Sequence, residues 1–172
     1  NKPIALAGVM GGLNSEIKDD TKEIVFEAAK FMRDNIRKTS RSLGQRSDSS
    51  ARYEKGIDAY TSEIAMDRAL HLIDELKCGR IACDRYDVPK QELKEKKIVT
   101  SVKKVNGVLG IEIPADTIKD ILTRLHFGCS IEGDALNVTV PLYRDDVESY
   151  QDIAEEVIRE YGYDHIVPTL LK

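Results

Sequence analysis

Apolar positions along the chain follow two periods. In residues 59–77, Met66, Ala69, Leu70, Ile73 and Leu76 recur at three- and four-residue spacing, which predicts a helix that Gly79 ends. Residues 30–43 predict a second helix, with Arg33, Arg37 and Arg41 four apart along one stripe and Gly44 as its stop. Short runs at 3–7, 24–28 and 81–88 predict strands. In the middle one, Ile24, Phe26 and Ala28 share one face while Val25 and Glu27 share the other. A glycine-rich turn, Gly8-Val9-Met10-Gly11-Gly12, lies between the first two runs, and 46–56 reads as polar and irregular.

Beyond residue 93 the pattern changes. A strand is predicted at 98–102, then a short helix through Val105, Val108 and Leu109. Pro114 stands at a first helical position ahead of Ile118, Ile121, Leu122 and Leu125, which share one face. Runs at 127–131 and 136–140 pair as a hairpin around Glu132-Gly133-Asp134. Ser149 opens a last helix, with Asp152 in the capping-box position and Tyr150, Ile153, Val157 and Tyr161 facing inward. The predicted class is α+β: a partial mixed α/β segment, then a small module of helices and a hairpin resembling winged-helix arrangements. The domains are placed at 1–88 and 93–172. The polar run 88–97, with a proline near its start, is the seam between them.

Charge sharpens the division. The chain of 172 residues has a net charge of −4, and residues 94–172 supply all of it, with 10 Lys and Arg against 14 Asp and Glu. That half lacks the cationic excess of a free-standing duplex binder. Residues 30–58 hold eight Lys and Arg against Asp34, Asp48, Glu54 and Asp58, a solvated face or a contact for an anionic partner. No run approaches the roughly 20 apolar residues of a membrane helix. Cys78, Cys83 and Cys129 form no CxxC pair, and His71 does not complete a zinc tetrad with them. The chain begins with Asn1 and enters a predicted strand at once, so it is expected to be a piece of a longer polypeptide.

Chemistry concentrates in few places. The glycine turn lacks the Gly-Lys-Ser/Thr ending of a phosphate loop and leads into a strand instead of a helix. It therefore predicts a tight turn that another backbone or a ligand can approach. Asp146, Asp152, Glu155 and Glu156 gather about the start of the last helix. Hard oxygen ligands in that grouping suit magnesium, and acids in a first helical turn are also favoured by the helix dipole alone. A helix-turn-helix over 102–125 has the right spacing, but Asp116 and Asp120 at its second helix would face phosphates. No Ser/His/Asp or Cys/His constellation is present, and His71, His126 and His165 read as packing or surface residues. A metal-dependent phosphoesterase built on the acids lacks a nucleophile activator.

Two ordered blocks of motifs identify a resemblance. The first is Gly8-Val-Met-Gly-Gly12, Val25-Phe-Glu-Ala-Ala29 and Arg46-Ser-Asp-Ser-Ser-Ala-Arg-Tyr-Glu-Lys-Gly-Ile-Asp58. The second is Val138-Thr-Val-Pro-Leu-Tyr-Arg-Asp-Asp146, Gln151-Asp-Ile-Ala-Glu-Glu156 and Arg159-Glu-Tyr-Gly-Tyr-Asp164. Their order and spacing resemble the middle of the β subunit of bacterial phenylalanyl-tRNA synthetases, over essentially the whole chain.

The resemblance implies that the first domain is the C-terminal part of the family's editing module and the second its small winged-helix-like module. It implies a class II ligase of two α and two β subunits, cytoplasmic, joining phenylalanine to tRNA(Phe) with ATP and Mg2+. The aminoacylation centre lies on α, so the fragment holds no catalytic residue of that reaction and is expected to be inactive alone. The β subunit binds tRNA and hydrolyses mischarged Tyr-tRNA(Phe). The family's editing pocket falls on Gly11, Glu27, Ser47 and Ser49. A buried Glu27 carboxylate would accept a hydrogen bond from the tyrosine para-hydroxyl, which phenylalanine lacks. Such a mismatch rejects an analogue by a factor on the order of 10⁴. Ser47 stands where the family commonly has Thr, and Ser49 where some members have Ala. The family's Mg2+ ligands, at a site shared with the α subunit, fall on Asp146, Asp152, Glu155 and Glu156. The alternative to this assignment is a stand-alone helix-turn-helix module.

Overall fold

Two units divide the computed structural model, Asn1–Gln91 and Glu92–Lys172. It describes residues 2–82, 85–88 and 92–168. The class is α+β.

Unit 1 begins with a minimal hairpin. β1 (Ala5–Leu6) pairs antiparallel with β2 (Met10–Gly11), so the strand expected at 3–7 is two residues long and two residues of the glycine turn are strand. Gly8 sits between them at φ +67°, and a Cβ there would lie 2.7 Å from Ile36 Cδ1 and 2.8 Å from Phe31. Glycine is required at this position on both counts. Val9, next to it, is buried. Three helices follow: α1 (Arg33–Ser42), α2 (Asp48–Tyr53) and α3 (Thr61–Glu75). α1 buries Ile36 and Ser40, and Phe31 meets the Tyr53 ring edge-on at 4.8 Å between centroids.

Three expectations for unit 1 are corrected. Residues 24–28 form no strand; they are irregular and exposed, with Val25 at 97% and Ile24 and Phe26 near half. Among the described residues no neighbouring strand pairs with them, and alternation alone does not supply the cross-strand partner a ladder needs. Residues 81, 82 and 85–88 are also outside any strand, while Cys83 and Asp84 lie outside the described residues. The segment expected to be irregular contains α2 instead. Its signal was Ser47, an N-cap followed by Asp48 in the first turn. α3 forms where periodicity placed it, yet none of its residues is buried.

Unit 2 runs β3 (Lys96–Ser101), α4 (Val102–Leu109), α5 (Ala115–Arg124), β4 (Gly128–Glu132), β5 (Ala135–Val140) and α6 (Tyr150–Tyr161). The sheet is antiparallel in the order β3-β5-β4, with registers from Lys96 opposite Val140 to Ser101 opposite Ala135, and from Gly128 opposite Thr139 to Glu132 opposite Ala135. Leu136, Val138 and Val140 point from β5 into a core closed by Val105, Ile118, Leu122, Ile153 and Val157. Asn106 is buried and fixes the α4–α5 turn, donating to the Ile113 carbonyl (3.0 Å) and accepting from the Ile113 N–H (3.2 Å). Pro114 is the N-cap of α5, one position before the expected one, because its ψ of 143° is extended. Of the seam at 88–97, Pro89, Lys90 and Gln91 lie outside the described residues.

Candidate functional site

The editing-pocket residues separate into two groups. Ser47 caps α2 by accepting the Ser50 N–H (3.1 Å), and its hydroxyl donates to the Val9 carbonyl at 2.5 Å. Ser49, in the first turn of α2, donates to the Gly8 carbonyl at 3.1 Å. Two hydroxyls some forty residues along the chain thus tie α2 to the glycine hairpin. Ser50 and Ser40 extend the polar layer inward, Ser50 Oγ accepting from Ser47 N–H (2.9 Å) and Ser40 Oγ donating to the Gln45 carbonyl. Gly11 lies on the open side of the hairpin, where a Cβ would meet nothing within 4 Å. A shallow depression of about 430 Å3 is lined there by Met10, Gly11, Gly12, Leu13, Ser15 and Glu16. Within the turn the close internal approaches fall on Gly8 and on Gly12, whose Cβ would stand 2.7 Å from the Ile4 carbonyl.

Glu27 does not join this group. The carboxylate expected to be buried is exposed, on the irregular run 22–32, and is not among the residues of the depression. Replacing Ser47 with Ala is expected to cost unit 1 about 1–2 kcal/mol, the range for losing an N-cap. Urea unfolding followed by circular dichroism measures it, with Ser47→Thr retaining stability. A loss of only a few tenths would mean the cap and its tether to Val9 carry little.

Three of the four acids of unit 2 are held, but not by one another. Arg144 grips Asp146 with Nε–Oδ1 at 2.8 Å and a terminal nitrogen to Oδ2 at 2.7 Å. The same guanidinium reaches both oxygens of Glu156, at 3.0 and 2.7 Å, and Arg159 closes on Glu156 from the next turn. The Glu156 side chain is only 4% exposed. Asp152 turns the other way, accepting from Glu148 N–H (2.9 Å), Ser149 N–H (2.8 Å) and the Ser149 hydroxyl (2.8 Å). Its capping role is the one expected. Glu155 is exposed. Among the described residues, no group of three or more His, Cys, Asp or Glu side chains converges as a metal ion requires. The donor set therefore does not fit Mg2+ as arranged: two carboxylates are neutralised by arginine, one by a helix end, and the fourth stands apart.

These contacts set the charge states. The Arg144 hydrogen bonds hold the Asp146 carboxyl below the usual carboxylate range, and Arg144 first, then Arg159, do the same for Glu156 against the opposing effect of burial. Asp152 is lowered chiefly by the Glu148 N–H and the Ser149 hydroxyl. Sequence reading missed Arg144 and Arg159. Their signal was available: Arg144 stands two residues before Asp146, and Arg159 one helical turn after Glu156.

The remaining candidates are ordinary. Arg124 pairs with Asp120 along α5 at 3.2 Å, and the acids on that helix disfavour a recognition role. His71 approaches Glu75 at 3.4 Å, Cys78 is exposed, Cys129 is half-buried, and Cys83 lies outside the described residues. No helix among the described residues is long and apolar enough to cross a membrane.

Comparison with known proteins places both units. The family model of the B3/4 domain matches residues 1–78, and that of the tRNA synthetase B5 domain matches residues 98–163. The chain is 45% identical over 170 residues to a phenylalanine–tRNA ligase beta subunit of Clostridium tetani, covering 99% of this chain and 22% of that one. It is 44% identical over 171 residues to the corresponding subunit of Leptospira interrogans, covering 96% and 21%. A crystal structure of an N-terminal fragment of the phenylalanyl-tRNA synthetase beta subunit from Pyrococcus horikoshii is 24% identical, covering 45% of this chain and 22% of that one, with a TM-score of 0.40. The chain spans about a fifth of the length of the curated relatives it matches.

Proposed function

This chain is homologous along its length to phenylalanine–tRNA ligase β subunits and carries a B3/4 domain followed by a tRNA synthetase B5 domain, and from that premise we propose that it is an internal segment of such a subunit. In the intact enzyme it serves ATP-dependent charging of tRNA(Phe) and hydrolytic editing of Tyr-tRNA(Phe), in the cytoplasm, as part of a class II ligase with the α subunit. The observation that carries this is identity of 40% or more sustained across nearly every residue with β subunits of distinct bacteria.

Within that assignment, residues 1–88 are the C-terminal part of the editing module and residues 93–172 a winged-helix-like module. The order strand, helix, helix, hairpin and helix, with β5 between β3 and β4, supports the second. The tether from Ser47 and Ser49 to the Gly8–Val9 carbonyls supports the first, since it fixes the hairpin whose open side carries Gly11. Ser47 and Ser49 act as positioning residues through their backbone partners, and Glu27 supplies the acceptor for the tyrosine hydroxyl in the complete subunit. ATP and Mg2+ belong to the charging reaction, and no step of it is routed through the acids of α6.

Exchange of the matching segment of the Clostridium tetani β subunit for this chain tests the proposal. The chimera is expected to assemble with its α subunit and to charge tRNA(Phe), whereas the 172-residue chain alone charges none. A chimera that assembles but cannot charge, or phenylalanylation by the isolated chain, overturns it.

A further inference from the structure

We propose that the arginine stripe of α1, formed by Arg33, Arg37 and Arg41, grips the phosphodiester backbone of an RNA; the choice of RNA rests on the function proposed above. All three arginines are exposed, and among the described residues none has a carboxylate within ion-pair distance. Several other arginines do find acids, Arg46 with Glu54, Arg85 with Glu63, Arg124 with Asp120 and Arg144 with Asp146, while Arg52, Arg68 and Arg80 are exposed single cations that share no helical stripe. A stripe left without counter-charge on a chain of net charge −4 is a local feature. General basicity does not account for it.

The scaffold is rigid. Ile36 and Ser40 are buried on the inward face of α1, and Ser40 bonds to the Gln45 carbonyl just beyond the helix. Four-residue spacing sets the guanidiniums about 6 Å apart along the axis at 1.5 Å per residue. Evenly spaced forks suit a polymer of anions better than one small ligand, and guanidinium matches phosphate bidentately. Lys38 adds a fourth cation to the exposed side, and Asp34 is the one acid of the helix. That side otherwise presents Asn35 and Ser42, with no apolar residue to enter a lipid surface.

Fluorescence anisotropy of the 172-residue chain with a labelled, unmodified tRNA(Phe) transcript tests this in 50 and 200 mM KCl. Three phosphate contacts predict an affinity loss of about 20–40-fold across that salt step. The triple variant R33Q/R37Q/R41Q is expected to bind more weakly and to lose most of the salt dependence, with its helical circular dichroism unchanged. R33K/R37K/R41K keeps the salt dependence. An unrelated RNA hairpin binding as tightly supports backbone recognition. The proposal is overturned by a Gln variant with unchanged affinity and salt response, by no binding of the wild-type chain at 50 mM, or by displacement of the RNA by equimolar poly-glutamate. Failure of the chimera would remove the ligase assignment and leave these binding results standing.

Discussion

Arg144→Met is expected to destabilise unit 2 by about 3–5 kcal/mol, the cost of leaving a buried charge without its partner. Arg144 reaches both oxygens of Glu156, whose side chain is 4% exposed, and also holds Asp146. Arg159 remains in the variant and bonds both Glu156 oxygens, but its side chain is nearly half exposed. Glu156 would then sit at a dry position with one solvent-facing guanidinium in place of two. Hydrogen exchange of the amides in residues 92–168 reads the loss without interference from unit 1. A double variant, Arg144→Met with Glu156→Leu, should recover most of it, because replacing a buried ion pair with apolar groups is often neutral or better. A loss under about 1 kcal/mol in the single variant would put the pair in the class of surface bridges.

The same contacts fix a pH dependence. Asp146, Asp152 and Glu156 have carboxyls held below their unfolded values. Their contribution is therefore fully present above the ordinary carboxylate range, about 4–4.5, and is lost as acidification proceeds below it. Without Arg144, only Arg159 opposes the effect of burial, so Glu156 resists protonation less. The variant should consequently lose less stability than the wild type between neutral pH and acid. An equal loss in both would separate the acid response from Arg144.

Leu122→Ala is expected to cost about 3–4 kcal/mol. Leu122 is fully buried on α5, in the core with Ile118, Leu136 and Val157. Truncation removes three carbons from a position with no access to solvent. The cavity persists because α5 is fixed at both ends, by Asn106 through Ile113 and by the Phe127 N–H to the Leu122 carbonyl at 2.9 Å. Val99→Ala, at a β3 position 75% exposed, serves as the control and should change stability by under about 0.5 kcal/mol. Equal effects at the two sites would contradict the assignment of the core.

The two units were not equally legible in the sequence. In unit 2, period and core agree: Ile118, Ile121 and Leu122 fall on one face because the sheet they cover is supplied by the same 80 residues. The Glu132-Gly133-Asp134 turn fixes the hairpin register locally, with Gly133 at φ +61°. Asp152 was readable as a cap because Ser149 stands three residues before it. In unit 1 the signals were real but their partners were not local. Ile24, Phe26 and Ala28 alternate as a strand does, yet pairing depends on a neighbour that a linear pattern does not name. The link from Ser47 to Val9 spans 38 positions and follows from no spacing rule. For the acids, hard ligands and like charge were visible. Which cation would meet them was decided by Arg144, which period and composition treat as surface charge.

The exposed run at 24–28 has a consequence for handling the protein. Ile24-Val25-Phe26 is short, strongly β-prone and open to solvent, the sort of stretch through which chains stack edge to edge into insoluble fibres. Glu23 and Glu27 flank it as electrostatic gatekeepers. A neutral residue at position 27 therefore removes a solubility guard along with the carboxylate, and turbidity belongs beside turnover wherever Glu27 is changed.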